Sequence, residues 1–210
     1  IYLHGIGYGD SRYYYPLEQT KILRHILSDG KLLSRRLQGF KDSSGFNGMD
    51  YISLCDYEKK DVYNSSKKSI VSASRKNYNA YNSYIKDSIS ISFPKDELEV
   101  ITPTLVGNCT LSLSGYYLMR ELGNEKERYS DLPDEVQVRD SISLDKSNGI
   151  IFPVDTFLSF NNRRKDKIDL LRKEIENLRN MISSYNYEFG IYDMNSLEEL
   201  SDESILRLTK

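Results

Sequence analysis

A chain of 210 residues with 39 % hydrophobic and 29 % charged side chains has the balance of a water-soluble protein, long enough for one sizeable core with a helical appendage. A net charge of −2 supplies no field that would gather nucleic acid or an anionic membrane surface, and no apolar run approaches the roughly 20 residues that span a bilayer. Two histidines and two distant cysteines, Cys55 and Cys109, lack the spacing of a metal site or a disulfide framework, so no metal is expected and a reducing compartment fits.

The chain opens at Ile1 inside what reads as a strand and shows no signal peptide, as a processed chain or a fragment would. Tyr2-Leu3-His4 is that short strand, stopped at Gly5. Ile6 to Tyr15, rich in Gly and aromatics, reads as a loop. A helix follows, with Pro16 suited to its first position, an apolar face of Ile22, Leu23, Ile26 and Leu27, and Gly30 as its stop. His25 points off that face into solvent. Lys31 to Met49 is polar, carries Arg35-Arg36 and three glycines, and reads as a loop. Tyr51-Ile52-Ser53-Leu54 alternates as a strand does.

Residues 56–84 begin as loop, and Ser74 to Tyr84 has the weak pattern of a polar helix. Ser88 to Phe93 alternates strictly and is closed by Pro94. Leu98-Glu99-Val100-Ile101 reads as a second strand after a tight turn at Lys95-Asp96, and Tyr116 to Leu122 as a short helix. Ile150-Ile151-Phe152 follows the turn signal Ser147-Asn148-Gly149. From about Asp155 the chain reads as helical. Ile168, Leu171, Ile175, Leu178 and Ile182 form a two-heptad seam, expected to dock on the body of the protein or, failing that, to drive self-association. Leu197 to Leu208 reads as a last short helix.

Between these elements, Asp131-Leu132-Pro133-Asp134 turns into a strand, Glu135 to Arg139. Val136 and Val138 share one face of it; Glu135, Gln137 and Arg139 share the other. There is no GxGxxG after a strand, no GxxxxGK[ST], no GxSxG and no HExxH. An early strand, a helix and then antiparallel-type strands give an α+β pattern. Seventeen tyrosines and no tryptophan offer rings that stack on a planar ligand.

Taken in order, Tyr2-Leu3-His4-Gly5, Tyr51-Ile52-Ser53-Leu54 and Asp134-Glu135-Val136-Gln137-Val138 resemble the three strand motifs of the ADP-ribosyltransferase superfamily, in its diphtheria-toxin-like, poly(ADP-ribose) polymerase-like His-Tyr-Glu branch. The sequence departs from the family in having Ile6 after Gly5, where Ser or Thr is common. The family's run of small residues and Tyr is also displaced, with Ser72-Ala73-Ser74 and Tyr78 or Tyr81 as candidate substitutes. The resemblance covers roughly residues 1–153. It implies split mixed and antiparallel sheets with flanking helices, forming a catalytic domain over 1–153, with 154–210 as a helical extension docked on it.

What the resemblance implies for function is the transfer of ADP-ribose from NAD, as co-substrate, to a protein or nucleic-acid acceptor. Glu135 would be the catalytic carboxylate. His4 would bind the adenosine ribose, the Gly5 backbone the nicotinamide amide, and Tyr51 would stack on the nicotinamide ring. Arg35 and Arg36 are candidates for the NAD phosphates, Gln137 for support of Glu135, and Tyr81 for the second wall of the pocket. Such a protein would be a bacterial toxin or effector, cytoplasmic or delivered into the cytoplasm of a target cell, and needing no metal. Alternatives on the same fold are NAD hydrolysis, RNA 2′-phosphate transfer, or a non-catalytic binding module that uses the C-terminal helix.

Overall fold

In the computed structural model the described residues are 1–6, 16–39, 50–62, 79–101 and 134–208. The loop at 7–15, the stretch 40–49, Ser72 to Tyr78, Cys109 and the expected helix at 116–122 lie outside them.

Six strands form one sheet in the order β5-β3-β1-β4-β7-β8: β1 (Tyr2–Gly5), β3 (Tyr51–Asp56), β4 (Ser90–Phe93), β5 (Glu135–Arg139), β7 (Gly149–Phe152) and β8 (Gly190–Asp193). All neighbours run antiparallel except β7 and β8. Two further strands, β2 (Lys31–Leu33) and β6 (Ser141–Ser143), pair with each other. The fold is thus mixed α+β, with a mostly antiparallel sheet and, among the described residues, four helices.

The pairing registers sort the sheet into two faces, because directly opposed residues point the same way. Tyr2, Leu54, Ile91, Phe93, Val136, Ile150 and Phe152 lie on the face of the larger core. Leu3, Cys55 and Ile151 lie on the other, where a smaller core gathers Tyr57, Ala80, Ile85 and Met194. Helix α1 (Pro16–Asp29) covers the larger core with Leu23 and Leu27 and ends at Gly30, whose φ of +68° suits a residue without Cβ. His25 is exposed, as expected.

Three expectations need correction. Residues 31–33 are a strand, since Leu32 is buried opposite Ile142, although three residues show no period. Leu98 to Ile101 is no full strand; Ile101 alone bridges Gln137. The C-terminal part is not purely helical. After α2 (Val154–Phe160) and α3 (Lys167–Ser184) the chain returns as β8, parallel to β7, and extends the same sheet before α4 (Asp202–Arg207). Helices between parallel strands are the usual long crossover.

The seam on α3 docks on the body as expected: Leu171, Ile175, Leu178 and Ile182 are all buried, with Ile168 partly so. In the weak helical pattern ending near Tyr84, residues Tyr81–Ile85 form a wide π-type turn.

Candidate functional site

Strands β5, β3 and β1 lie side by side, so the segments carrying Glu135, Tyr51 and His4 are neighbours. Glu135 stands opposite Cys55, Gln137 opposite Ser53, and Arg139 opposite Tyr51. These six residues therefore share one face, the face of the smaller core. Glu135 and Tyr51 are separated by four strand positions, about 14 Å along the ladder at ~3.4 Å per residue. Ser53 and Gln137 lie between them.

The sheet opens beside this row. Strand β1 pairs with β4 all the way to Gly5, but with β3 only at Tyr2 and Leu3. In an antiparallel ladder alternate residues direct their peptide groups to opposite neighbours. Ile6 N–H donates to Ile89 at 2.8 Å, on the β4 side, so Gly5 directs its N–H and C=O the other way, toward β3. Asp50 and Asp56 bond across to β5, which turns the peptide groups of Tyr51, Ser53 and Cys55 toward β1. Beyond Leu3 opposite Cys55, no strand pairing joins the two edges among the described residues. Gly5 on one side and Ser53 on the other thus present peptide groups to a gap, and Gly5 has no Cβ to obstruct it.

His4 closes this gap from the opposite face. It stands opposite Ile91, on the side of the larger core, and its Nδ1 lies 3.1 Å from the Ser53 carbonyl. A carbonyl only accepts, so Nδ1 carries the proton and Nε2 of the neutral ring is left as an acceptor. Burial lowers the His4 pKa, partly offset by the bond to Ser53. The three side chains thus reach this part of the sheet from two sides. Tyr51 and Glu135 share a face, whereas a one-residue step along β1 turns His4 to the other.

Glu135 is half-buried. Burial raises its pKa above the usual carboxylate value; hydrogen bonds from the Ser53 hydroxyl and Gln137 oppose this, and the charge of Asp134 adds to it. The Gln137 amide donates to Oε1 at 3.4 Å. Gln137 is thus the supporting residue expected from its place on the strand. Ser53 is a second one, overlooked despite sharing Tyr51's face at the i, i+2 spacing.

Tyr81 also lies on the Glu135 side of the sheet, in the smaller core, but its ring meets Tyr57 edge-on at 5.8 Å. Burial, followed by the Tyr57 hydroxyl, drives its pKa up. Tyr81 is a packing residue as well as a candidate wall. Arg35 is exposed, and Arg36 pairs with Asp50 directly before Tyr51. Ser34 N–H donates to Asp140 C=O at 2.8 Å and Asp140 N–H to Asp50 C=O at 2.8 Å. The arginine pair and Arg139 are thereby placed at the Tyr51 end of the row.

A cleft of about 510 Å³ lies against β5, where Tyr51, Arg139, Glu99, Lys146, Ser141 and Ser143 line it together with apolar side chains such as Leu98 and Ile142. Glu135, Ser53 and His4 do not line it. We take the β1–β3 gap rather than this cleft as the candidate site, because the His4 imidazole and the Glu135 carboxyl both meet Ser53 there. Among the described residues no group of three His, Cys, Asp or Glu is disposed to hold a metal ion, and no helix is long and apolar enough to cross a membrane. No family model, curated protein or solved structure matches the chain.

Proposed function

We propose that the chain transfers ADP-ribose from NAD to a macromolecular acceptor, with Glu135 as the reacting carboxylate. The observation that carries this reading is the row Glu135, Gln137, Ser53 and Tyr51 on one face of two paired strands, beside the gap where β1 parts from β3 at Gly5. Cleaving the bond between nicotinamide and ribose builds positive charge on the sugar, as in glycoside hydrolysis. A carboxylate fixed by Ser53 and Gln137 against a ribose hydroxyl stabilises that charge without reorganising. Gly5 and Ser53 peptide groups would receive the carboxamide, the Tyr51 ring would stack on nicotinamide, and His4 Nε2 would accept from the second ribose.

A second reading has an observation of its own. His4 approaches the gap from the face opposite Glu135, which also suits a module that holds a ligand without turning it over.

Incubation with labelled NAD, with and without cell lysate, separates the readings. Nicotinamide release that requires lysate, with label on macromolecules, is the result expected of a transferase. Release without lysate indicates hydrolysis. Binding of NAD with no release indicates the non-catalytic module, and neither binding nor release removes NAD from the account.

A further inference from the structure

Asp134 does more than introduce β5. Its side chain is fully buried. Oδ1 accepts from the Ala80 N–H at 2.6 Å, and Oδ2 accepts from the Tyr81 N–H at 2.8 Å and from the Cys55 thiol at 3.3 Å. Its carbonyl accepts from Asp56 N–H at 2.6 Å. One residue thus joins β3, the turn at 81–85 and the first residue of β5. Three donors converge on it, two of them peptide N–H groups. Both oxygens of a carboxylate are needed to meet them; an Asn would turn an NH₂ toward one donor. A buried carboxylate left short of partners would be expensive, so the site is built for Asp.

We propose that Asp134 is a positioning residue for Glu135: it clamps the start of β5 between β3 and the 81–85 turn, so that the Glu135 carboxyl stays beside Ser53 at the β1–β3 gap. That Glu135 is the reacting group rests on the NAD reading; the clamp does not. Cys55 lies against this cluster: burial raises its thiol pKa first, and the charges of Asp134, Asp56 and Glu135 raise it further. Because the two carboxyls are adjacent and withdrawn from water, an ionised Asp134 also opposes ionisation of Glu135. The charge of one is therefore felt by the other.

The experiment is a carboxyl-carbon NMR titration of the full chain, wild type and Asp134→Asn, together with kcat and KM for nicotinamide release. In the wild type the Glu135 signal should respond to two protonation steps, its own and that of Asp134. In Asp134→Asn the second step should vanish and the Glu135 midpoint should fall. Turnover should drop roughly tenfold or more, with KM within about threefold, because the loss falls on the transition state. Cys55→Ala, which keeps the charge and both peptide bonds, should leave turnover within about twofold. A wild-type Glu135 that titrates alone overturns the proposal, as does a folded Asp134→Asn with an unmoved midpoint or unmoved turnover. If Asp134→Asn does not fold, the wild-type titration decides by itself. If the wild type releases no nicotinamide, the NAD reading falls and the clamp is judged on the titration alone.

Discussion

Glu135 holds its proton more tightly in the folded chain than in the unfolded one, chiefly through burial. The folded state therefore binds more protons just above the ordinary glutamate value of 4.5. Its contribution to stability is present below that value and is lost as pH rises through the higher folded pKa. Glu135→Gln removes the charge and keeps the shape, so it should melt above the wild type at pH 7, and the difference should shrink as pH falls below the carboxylate range. Calorimetric melts at several pH values check this; a variant that melts lower at neutral pH contradicts it.

Lys95 tests a different carboxylate. Its ammonium lies 2.7 Å from the buried Asp56 and 2.8 Å from the exposed Glu58. Burial works to lower the Lys95 pKa, but hydrogen bonds to these two acids outweigh it and push it up to about 12. Removing one partner of a buried pair costs about 3–5 kcal/mol. The Lys95 side chain is about a third exposed, and Lys59 at 3.8 Å and the Glu58 N–H remain on Asp56, so Lys95→Met should fall below that range, at about 2 kcal/mol. Urea unfolding measures it, and a loss below about 1 kcal/mol, the value of an exposed pair, would mean that the bond to Asp56 contributes little.

Among the elements, β7 and β8 depend on the absence of two Cβ atoms. The Tyr192 ring lies over Gly149 and Gly190. A Cβ on Gly190 would fall 2.5 Å from the Tyr192 hydroxyl, and one on Gly149 would fall 2.6 Å from the ring and 2.9 Å from the Gly190 carbonyl oxygen. Each Gly→Ala change should destabilise by about 1–3 kcal/mol, as overpacking does. Tyr192→Ala should rescue Gly190→Ala, whose close contacts are with that ring, but not Gly149→Ala, which still meets backbone. A double-mutant cycle with equal rescue at both positions would contradict this. On α3, Ile175 is fully buried against the larger core, and Ile175→Ala should cost about 2–5 kcal/mol without promoting dimers. Dimerisation of the wild type, abolished by this change, would return the seam to an association role.

Which elements were legible follows from their length and pattern. β4, β5 and α3 carry a clear alternation or heptad, β7 is an apolar run behind a turn signal, and all four appear where the sequence puts them. Lys31–Leu33 and Ser141–Ser143 span only three residues and Gly190–Asp193 has no apolar pattern, and each is held by one buried side chain, Leu32, Ile142 or Ile191. Only their partners make them strands. The face of His4 was hidden for a related reason, because alternation within β1 has meaning only once the point where β1 leaves β3 is known. Gln137, by contrast, was readable as sharing a face with Glu135 and Arg139 on one strand, whereas placing Ser53 on that face needed the β3–β5 register.

At the scale of the molecule, the described sheet is a frame that opens where β1 parts from β3. β4, β7 and β8, backed by α1 to α4, hold β1 on one side of it, and the β3–β5 pair forms the other side. The Arg36–Asp50 pair and the Asp134 clamp fix β3 and β5 at their two ends. We propose that this opening accepts NAD and that the charge of Glu135 turns it over. Nicotinamide release at saturating NAD, wild type against Glu135→Gln, with NAD affinity by calorimetry, tests it most directly. Loss of one preorganised electrostatic contact in a transition state lowers turnover by roughly 10²–10³-fold, so Glu135→Gln should lose at least that much while binding NAD within a few-fold of the wild type. A Glu135→Gln protein that keeps a tenth or more of wild-type turnover contradicts the claim.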